Sequence, residues 1–165
     1  MDTAAIPPFS VFLEEHRSLV YRFLAATVGR DHADDCFQET FLSALRAYPR
    51  LRRDSNLRAW VMAIATNKAM DHGRRRARAA VPVAEVPERP APEDEPADPA
   101  VWDAVRSLPP LQRAAVVHRY VLDLPYAEIA EALGTSEEAA RANAYEGRKK
   151  LRAALEETYV THDRP

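Results

Sequence analysis

The amino-acid sequence predicts an all-α protein made of two small helical domains joined by a flexible, proline-rich and acidic linker. The chain has only four glycines in 165 residues, 47% of its residues are hydrophobic, and its runs of Ala, Leu, Glu and Arg favour helix. No segment shows the alternating β-branched pattern of a strand. Six of the thirteen prolines fall within residues 80–100, between two stretches with helical periodicity.

Three helices are predicted before the linker. The first has apolar residues at spacings of three and four from Phe9 to Val28 and ends near Gly29. The second runs over residues 33–47 and is stopped by Pro49; its apolar side carries Phe37, Phe41, Leu45 and Tyr48. A polar, arginine-rich loop follows at residues 50–56. The third helix runs from about residue 57 into an arginine cluster at 74–78.

Residues 80–100 predict an extended, solvated linker. They combine six prolines with six acidic side chains and one arginine, and proline excludes helix while clustered acids repel one another. A passive tether is one interpretation of this composition. The other is an acidic strand that lies in a basic groove and mimics nucleic acid.

A helix-turn-helix is predicted after the linker. A short helix at 101–108 and a helix at 111–122 come first, separated by Pro109 and Pro110. Small residues then stand at Ala130 and Ala140, with Gly134 where the turn needs a positive φ. Thr135 or Ser136 can cap the second helix, and Thr135 with Glu138 makes a possible capping box. Such a motif places its second helix in a DNA major groove, the alternative being an ordinary helical hairpin.

Charge and composition narrow the function classes. Residues 1–80 carry a net charge of +4, residues 81–100 of −5 and residues 101–165 of −1. A free-standing duplex binder is usually strongly basic, so this chain is expected to bind DNA with the help of a larger partner.

The five histidines show no metal-ligand spacing and no phosphate-binding glycine loop is present, so neither metal, cofactor nor catalysis is expected. Cys36 is expected in the core. No apolar run could span a bilayer and no secretory signal is found, which predicts a cytosolic protein without membrane insertion.

Two polar helix faces in the first domain are candidate binding surfaces. Asp35, Gln38 and Glu39 lie three and four residues apart and share a face. In the third helix, Trp60 and Ile64 are core by spacing, which leaves Arg58, Asn67, Lys68 and Asp71 for the surface. Basic and amide groups near a tryptophan suit an unstacked nucleic-acid strand. The alternative for both faces is ordinary solvation.

Taken together, these segments resemble a known family. Residues 35–41, then 59–67, then the arginine cluster resemble region 2 of the bacterial extracytoplasmic-function (ECF, group IV) sigma factors. Residues 108–113 with 126–134 resemble their region 4, a helix-turn-helix. The resemblance implies region 2 at residues 9–79, the linker at 80–100 and region 4 at 101–158. It covers nearly the whole chain, and its specificity comes from the order and spacing of the motifs.

The resemblance implies a non-enzymatic initiation factor whose partners are core RNA polymerase and promoter DNA. In the family, the helix that carries Asp35, Gln38, Glu39 and Phe41 docks on the polymerase, and the third helix with its preceding loop binds and opens the −10 element. The implied −10 residues are Arg52, Arg53, Asp54, Ser55, Asn56, Arg58, Trp60, Asn67, Lys68, Arg74 and Arg75. The linker would run through the polymerase toward the RNA exit path, and an anti-sigma factor becomes a candidate partner.

The second helix of the predicted helix-turn-helix, called the recognition helix, departs from the family pattern. Ala139 and Ala140 stand where the family commonly has Thr and Val, Asn143 and Glu146 where it has basic residues, and Ala144 where it has a large aliphatic. The −35 contacts implied are Arg141, Ala142, Tyr145, Glu146, Arg148 and Lys149. Because Glu137, Glu138 and Glu146 repel phosphate, weak or unusual −35 binding is expected. Two alternatives follow: a stand-alone helix-turn-helix regulator, and a sigma-like polymerase-binding protein with impaired −35 recognition.

Overall fold

The structure, a computed structural model, describes residues 5–79 and 98–162, with side chains through residue 160. All regular secondary structure in these residues is helical, which confirms the all-α prediction. The predicted linker lies outside the described residues except for 98–100, where the fourth helix begins. The α-helices are α1 Phe9–Val28, α2 Arg30–Ala47, α3 Leu57–Arg78, α4 Pro99–Ser107, α5 Pro110–Val116, α6 Tyr126–Leu133 and α7 Glu137–His162. We call α1–α3 the N-terminal unit and α4–α7 the C-terminal unit.

Local signals in the N-terminal unit set the helix ends. Gly29 alone separates α1 from α2, at a φ of 83° that glycine adopts without a steric penalty. The second helix starts at Arg30, three residues earlier than predicted, because the single-residue break at Gly29 suffices to redirect the chain. A short 3-10 helix, Tyr48–Arg50, takes up Pro49. The Asn56 side chain accepts a hydrogen bond of 3.1 Å from the Ala59 amide and caps α3.

Aromatic rings hold the N-terminal unit together. Phe12 is fully buried, and its ring centroid lies 5.1 Å from that of Tyr48, 5.7 Å from that of Trp60 and 6.3 Å from that of Phe41. The Tyr48 hydroxyl donates a hydrogen bond of 2.6 Å to the carbonyl oxygen of Pro7. These contacts tie α1, α2 and α3 to one another at a single point.

The helix-turn-helix of the C-terminal unit has the predicted glycine geometry. Gly134 is left-handed, at φ 64° and ψ 36°, and the Thr135 amide donates to the carbonyl of Ala130. The capping box predicted from Thr135 and Glu138 is wrong. Ser136 caps α7 by accepting a hydrogen bond from the Ala139 amide, while the Thr135 hydroxyl donates to the Ser136 carbonyl.

The helix predicted over residues 111–122 is divided in two. After α5, residues Val117–Val121 form a π-helical turn, closed by the hydrogen bond from the Leu122 amide to the Val117 carbonyl. Five consecutive residues across this junction are buried: Ala114, Ala115, Val116, Val117 and His118. A run buried on every side means that this segment lies inside the fold and lacks the solvent face of an amphipathic helix.

The two units pack directly against each other. The His118 ring stacks on Phe23, with centroids 4.3 Å apart and planes 11° apart, and its Nε2 lies 3.0 Å from Thr66 Oγ1. The Arg22 guanidinium donates to the Val121 carbonyl at 3.0 Å. Buried residues from both units form one continuous hydrophobic cluster. Sequence periodicity does not predict this shared core, because an apolar stripe does not specify what it packs against.

Candidate nucleic-acid interface

The candidate surface on α2 is part polar and part apolar. Asp35 and Gln38 are exposed, and Glu39 is half-buried with an oxygen 3.5 Å from the Arg75 guanidinium of α3. Leu42 and Leu45 continue the same helix, and about half of each side chain is exposed. Leu42 lies four residues after Gln38 and three after Glu39, so it extends their face by one turn. Acidic, amide and leucine side chains together make a surface suited to another protein.

Two residues of α2 differ from the sequence-based assignment. Phe41, assigned to the partner-binding surface, is 6% exposed and packs against Phe12 and Phe37, so its ring supports the helix from within. Leu45, placed on the buried side by its spacing to Phe41, is exposed instead. The reason is that α2 packs on α1 and α3 through a narrower stripe, with small Ala33, Cys36 and Ala44 at its centre. Continuing the polar face of Gln38 and Glu39 along α2 would have predicted that Leu42 and Leu45 are exposed.

The loop before α3 is organised by its own side chains. Arg52 donates two hydrogen bonds to Asp54, from Nε at 3.2 Å and from Nη2 at 3.1 Å, and both side chains are exposed. Arg53 is exposed and Ser55 is half-buried. Asn56 uses its side-chain oxygen to cap α3. The structure therefore brings these five predicted −10 residues together on one solvent-facing turn at the N-terminus of α3.

The α3 helix presents its polar predicted residues in two groups. Asn67 is exposed and Lys68 half-buried in the middle of the helix. Toward the C-terminus, Arg74 pairs with Asp71 and Arg75 with Glu39. Trp60 and Ile64 were expected in the core; both are half-buried and pack against its edge. The buried stripe of α3 instead consists of Ala59, Val61, Met62, Ala65, Thr66 and Ala69.

Arg58 forms an ion pair across the interface between the two units. Its Nε donates to Glu128 Oε2 at 2.7 Å and its Nη2 to Glu128 Oε1 at 2.6 Å. Glu128 belongs to α6, the first helix of the helix-turn-helix, and its side chain is only 13% exposed. The Arg58 hydrogen bonds hold the pKa of the Glu128 carboxyl below its usual range. Sequence reasoning missed Glu128, since nothing in its local pattern indicates a partner 70 residues away.

The exposed side of α7 carries all six residues predicted to contact the −35 element. They are Arg141, Ala142, Tyr145, Glu146, Arg148 and Lys149. The Arg141 guanidinium lies 4.4 Å from the ring centroid of Tyr126 and pairs with Glu137 at 3.3 Å. The Arg148 guanidinium lies 5.9 Å from the ring of Tyr120. Both arginines are thus oriented by aromatic rings while remaining exposed to solvent.

Small residues on the opposite side of α7 set its distance from α5. Ala144, noted as unusually small, is fully buried. Gly147 is buried as well, and a Cβ placed on it would lie 2.6 Å from Val116 Cγ2 and 3.0 Å from the Gln112 carbonyl oxygen. Helix α7 therefore lies closer to α5 than larger side chains at these two positions would allow.

His118 is a neutral, buried anchor between the units. The Thr66 hydroxyl lies 2.7 Å from the Met62 carbonyl oxygen and 3.0 Å from His118 Nε2. When this hydroxyl donates to the carbonyl, it accepts a hydrogen bond from His118 Nε2. Its Nδ1 has no hydrogen-bond partner in the described part of the chain. Burial lowers the pKa of His118 to about 3.

The described residues contain no group of three or more His, Cys, Asp or Glu side chains placed to hold a metal ion. Cys36 lies in the core as predicted, and burial raises the pKa of its thiol. None of the described helices has the length and apolarity needed to cross a membrane.

Comparison with protein families matches both units. Residues 12–79 match the family model Sigma-70 region 2, and residues 99–151 match Sigma-70, region 4. The chain is 35% identical to the RNA polymerase sigma factor CarQ of Myxococcus xanthus over 90% of each chain. It is 30% identical to the ECF RNA polymerase sigma factor SigE of Mycolicibacterium smegmatis, over 93% of this chain and 64% of SigE. It is 35% identical to SigG of Mycobacterium tuberculosis over 78% of this chain, and spans 43% of that protein.

Two solved structures share this fold over most of the chain. The sigma factor RpoE, in complex with the anti-sigma factor NepR from Bartonella quintana, superposes with a TM-score of 0.75 at 22% identity, covering 90% of this chain and 96% of RpoE. CnrH, in complex with the cytosolic domain of CnrY, gives a TM-score of 0.64 at 24% identity, over 90% of this chain and 87% of CnrH. At these identities the likeness establishes the fold.

Proposed function

Because the chain belongs to the ECF RNA polymerase sigma factors, we propose that it binds core RNA polymerase and directs it to promoters by reading −10 and −35 elements. The observation that carries this proposal is that each unit presents a helix with a polar, solvent-exposed face, α3 and α7, while α2 presents a separate face that combines polar groups with exposed leucines. The net charge of −2 fits a chain that supplies sequence readout while the polymerase supplies most phosphate contacts.

The α2 surface supports polymerase binding. Asp35, Gln38 and Glu39 offer acceptors and charge, and Leu42 with Leu45 offers apolar area that has no cover in the described chain. An interface of this kind combines an apolar centre with a polar rim. Phe41 contributes by fixing the helix from the core, so its proposed role is to position the surface.

The α3 surface supports binding and opening of the −10 element. Asn67 and Lys68 lie on the outer side of a helix whose inner side is fixed by the core, and the turn with Arg52, Arg53 and Asp54 stands at its N-terminus. Trp60 is half-buried against Phe12, which leaves part of its ring for stacking on an unpaired base. Replacing Asn67 by Ala should reduce permanganate reactivity of −10 thymines more than it reduces closed-complex formation. A pre-melted promoter that fails to rescue this variant would contradict strand capture by Asn67.

Further partners follow from the same proposal. The related RpoE and CnrH structures contain NepR and the cytosolic domain of CnrY, respectively, and NepR is an anti-sigma factor. We therefore infer that an anti-sigma factor is a partner of this chain as well.

The site of action is the cytoplasm, where bacterial DNA and polymerase are found. The chain acts as a non-enzymatic factor, with the polymerase performing the chemistry.

A second candidate function is polymerase binding with weak −35 readout. The observation that favours it is the acidic N-terminal part of α7, residues 137–146, where Glu137 pairs with Arg141 and Glu146 is exposed beside Tyr145. Carboxylates at these positions oppose contact with the DNA backbone. Transcription that is independent of the −35 sequence would support this candidate over the first.

The test of the proposed function is transcription in vitro with purified core polymerase and genomic fragments, followed by mapping of start sites. Start sites that share a −10 and a −35 sequence are the expected result. The variant Glu39→Arg should lose co-purification with core polymerase while keeping its helical circular dichroism, and Glu14→Arg, an exposed reversal on α1, serves as the control. Unchanged binding by Glu39→Arg and by the double variant Asp35→Ala/Gln38→Ala would rule out this surface. Absence of any start site would overturn the function itself.

A further inference from the structure

The ion pair between Arg58 and Glu128 joins the two units at a predicted DNA contact. Both donors on one edge of the Arg58 guanidinium, Nε and Nη2, reach the two oxygens of the Glu128 carboxylate at 2.7 and 2.6 Å. The Asn56 side chain also faces this carboxylate and helps to keep its pKa low. The Arg58 guanidinium, with Asn56 beside it, therefore forms an anion site at the start of α3, and the chain fills it with its own carboxylate.

A carboxylate held in this way has the geometry of a bound phosphate. The planar fork of an arginine donates two parallel hydrogen bonds to either a carboxylate or a phosphate. Arg58 and Asn56 both belong to the surface proposed to bind the −10 element. In the arrangement observed, a DNA phosphate and the Glu128 carboxylate would compete for the same guanidinium edge.

The ion pair lies beside a packed interface. Thr66, eight residues after Arg58 on α3, contacts His118 of the C-terminal unit, and the His118 ring stacks on Phe23 of α1. From α5, the Arg113 guanidinium lies 3.4 Å from the Thr27 carbonyl of α1. These contacts join the C-terminal unit to α1 and α3, and α6 itself packs on α3, which places Glu128 on Arg58.

The spacing of promoter elements requires these contacts to separate. The −10 and −35 elements lie about 25 base pairs apart, and at about 3.4 Å per base pair this is about 85 Å along the DNA. Two units in direct contact cannot place α3 on one element and α7 on the other. The arrangement observed is therefore a closed one, in which the −10 surface is partly occupied.

We infer that Glu128 acts as an intramolecular phosphate mimic, which occupies the anion site of Arg58 and Asn56 in the closed chain and is displaced by a DNA backbone phosphate when the units separate. This inference rests on the proposed function for the identity of the ligand. It assigns to α6 a role beyond support of α7: the Glu128 carboxylate near the N-terminus of α6 withholds the Arg58 part of the −10 surface from DNA until the chain opens.

The test compares the affinity of the full chain for single-stranded DNA in two matched variants. Glu128→Gln removes the competing charge with little change in size, and Glu131→Gln makes the same change at an exposed position one turn later on α6. The probe is a fluorescently labelled strand of mixed sequence, about 20 nucleotides long to cover one single-strand site, followed by anisotropy at low salt. Glu128→Gln should bind up to about fivefold more tightly than wild type, the range of a single partly exposed ion pair. Glu131→Gln should bind as wild type does.

A double variant separates displacement from a general loss of negative charge. In an Arg58→Ala background the Glu128→Gln substitution should give no gain, because the guanidinium for which the two anions compete is absent. A gain that persists in this background, or equal gains in both glutamine variants, overturns the phosphate mimic. The phosphate mimic is also overturned if Glu128→Gln binds single-stranded DNA no more tightly than wild type, including the case where neither of the two proteins binds. These outcomes are independent of the transcription assay, which alone decides the proposed function.

Discussion

The two helices proposed to read DNA differ in what surrounds them. The N-terminal half of α3 is covered by the C-terminal unit, with Arg58 bound to Glu128 and Thr66 to His118. The outer side of α7 is open, and its residues contact mainly their own unit: Arg141 lies over Tyr126 and Arg148 over Tyr120. The comparison shows that access to DNA is limited by different factors. For α3 the limit is the other unit, whereas for α7 it is the chemistry of its own side chains.

The largest expected effect is destabilisation by overpacking the contact between α5 and α7. A methyl group at Gly147 would meet Val116 and the Gln112 carbonyl, so Gly147→Ala should force α7 away from α5. Overpacking of this kind costs about 1–3 kcal/mol of unfolding free energy, measured by urea denaturation. Stability equal to wild type would show that α5 and α7 do not pack as closely as described.

The next largest effect is a loss of folding stability at low pH, which tests the buried interface that covers α3. Above pH 6.5, the usual pKa of a histidine, His118 is neutral in both folded and unfolded chains, and its protonation has no effect on stability. Below pH 6.5 the unfolded chain gains a proton, whereas the folded chain, in which the pKa of His118 is about 3, does not. Stability should therefore fall as pH decreases, by about 2 kcal/mol between about pH 6.5 and 5 for this single group.

The variant His118→Gln separates this effect from those of other histidines. Burial also lowers the pKa of His16 and of His72, so part of the acid sensitivity should persist in the variant. The slope of stability against pH should nevertheless be shallower in His118→Gln than in wild type, by close to one proton. An unchanged slope would mean that His118 is not buried between the units.

A smaller effect tests the open face of α7. Arg141→Ala should lower transcription from a −35-dependent promoter about tenfold, within the roughly 1–3 kcal/mol typical of a lost base contact. Glu146→Arg should raise DNA affinity and steepen its salt dependence, because it adds a possible phosphate contact. If Glu146 instead accepts a hydrogen bond from a cytosine, the same substitution changes the preferred −35 sequence. Binding across a salt series with a −35 library distinguishes these results, and no change in either variant would show that α7 does not read DNA.

The smallest effect is expected at the glycine of α3. Gly73 lies within the helix, and a Cβ placed on it meets no atom within 4 Å. Gly73→Ala should therefore stabilise the chain by about 0.5–1 kcal/mol, since alanine favours helix more strongly. This variant is also the matched control for Gly147→Ala, with the same chemical change and the opposite sign. Destabilisation by Gly73→Ala would indicate a contact on α3 that the structure does not contain.

Glycine and polar residues at helix ends made the helix boundaries predictable from the sequence, whereas the π-helical turn and the contacts between the units were not predicted. Gly29, Asn56 and Gly134 mark helix ends through short-range backbone chemistry, and each boundary lies within a few residues of its prediction. The π-helical turn at Val117–Val121 was missed, because helical periodicity does not distinguish a π turn from a continuous helix. The pairing of Arg58 with Glu128 was also missed, since it depends on how two separately patterned units pack.

The distance between the two units, in the free chain and on the polymerase, decides whether the chain opens when it binds DNA. Donor and acceptor dyes at Ser18→Cys on α1 and Lys150→Cys on α7, in a Cys36→Ser background, report this distance by energy transfer; both labelled positions are exposed. A closed chain of this length has a radius of gyration of about 15 Å, so transfer should be efficient in the free protein. Core polymerase with promoter DNA should abolish most of it, because the two elements lie about 85 Å apart. Efficient transfer that persists in a transcriptionally active complex would contradict the account.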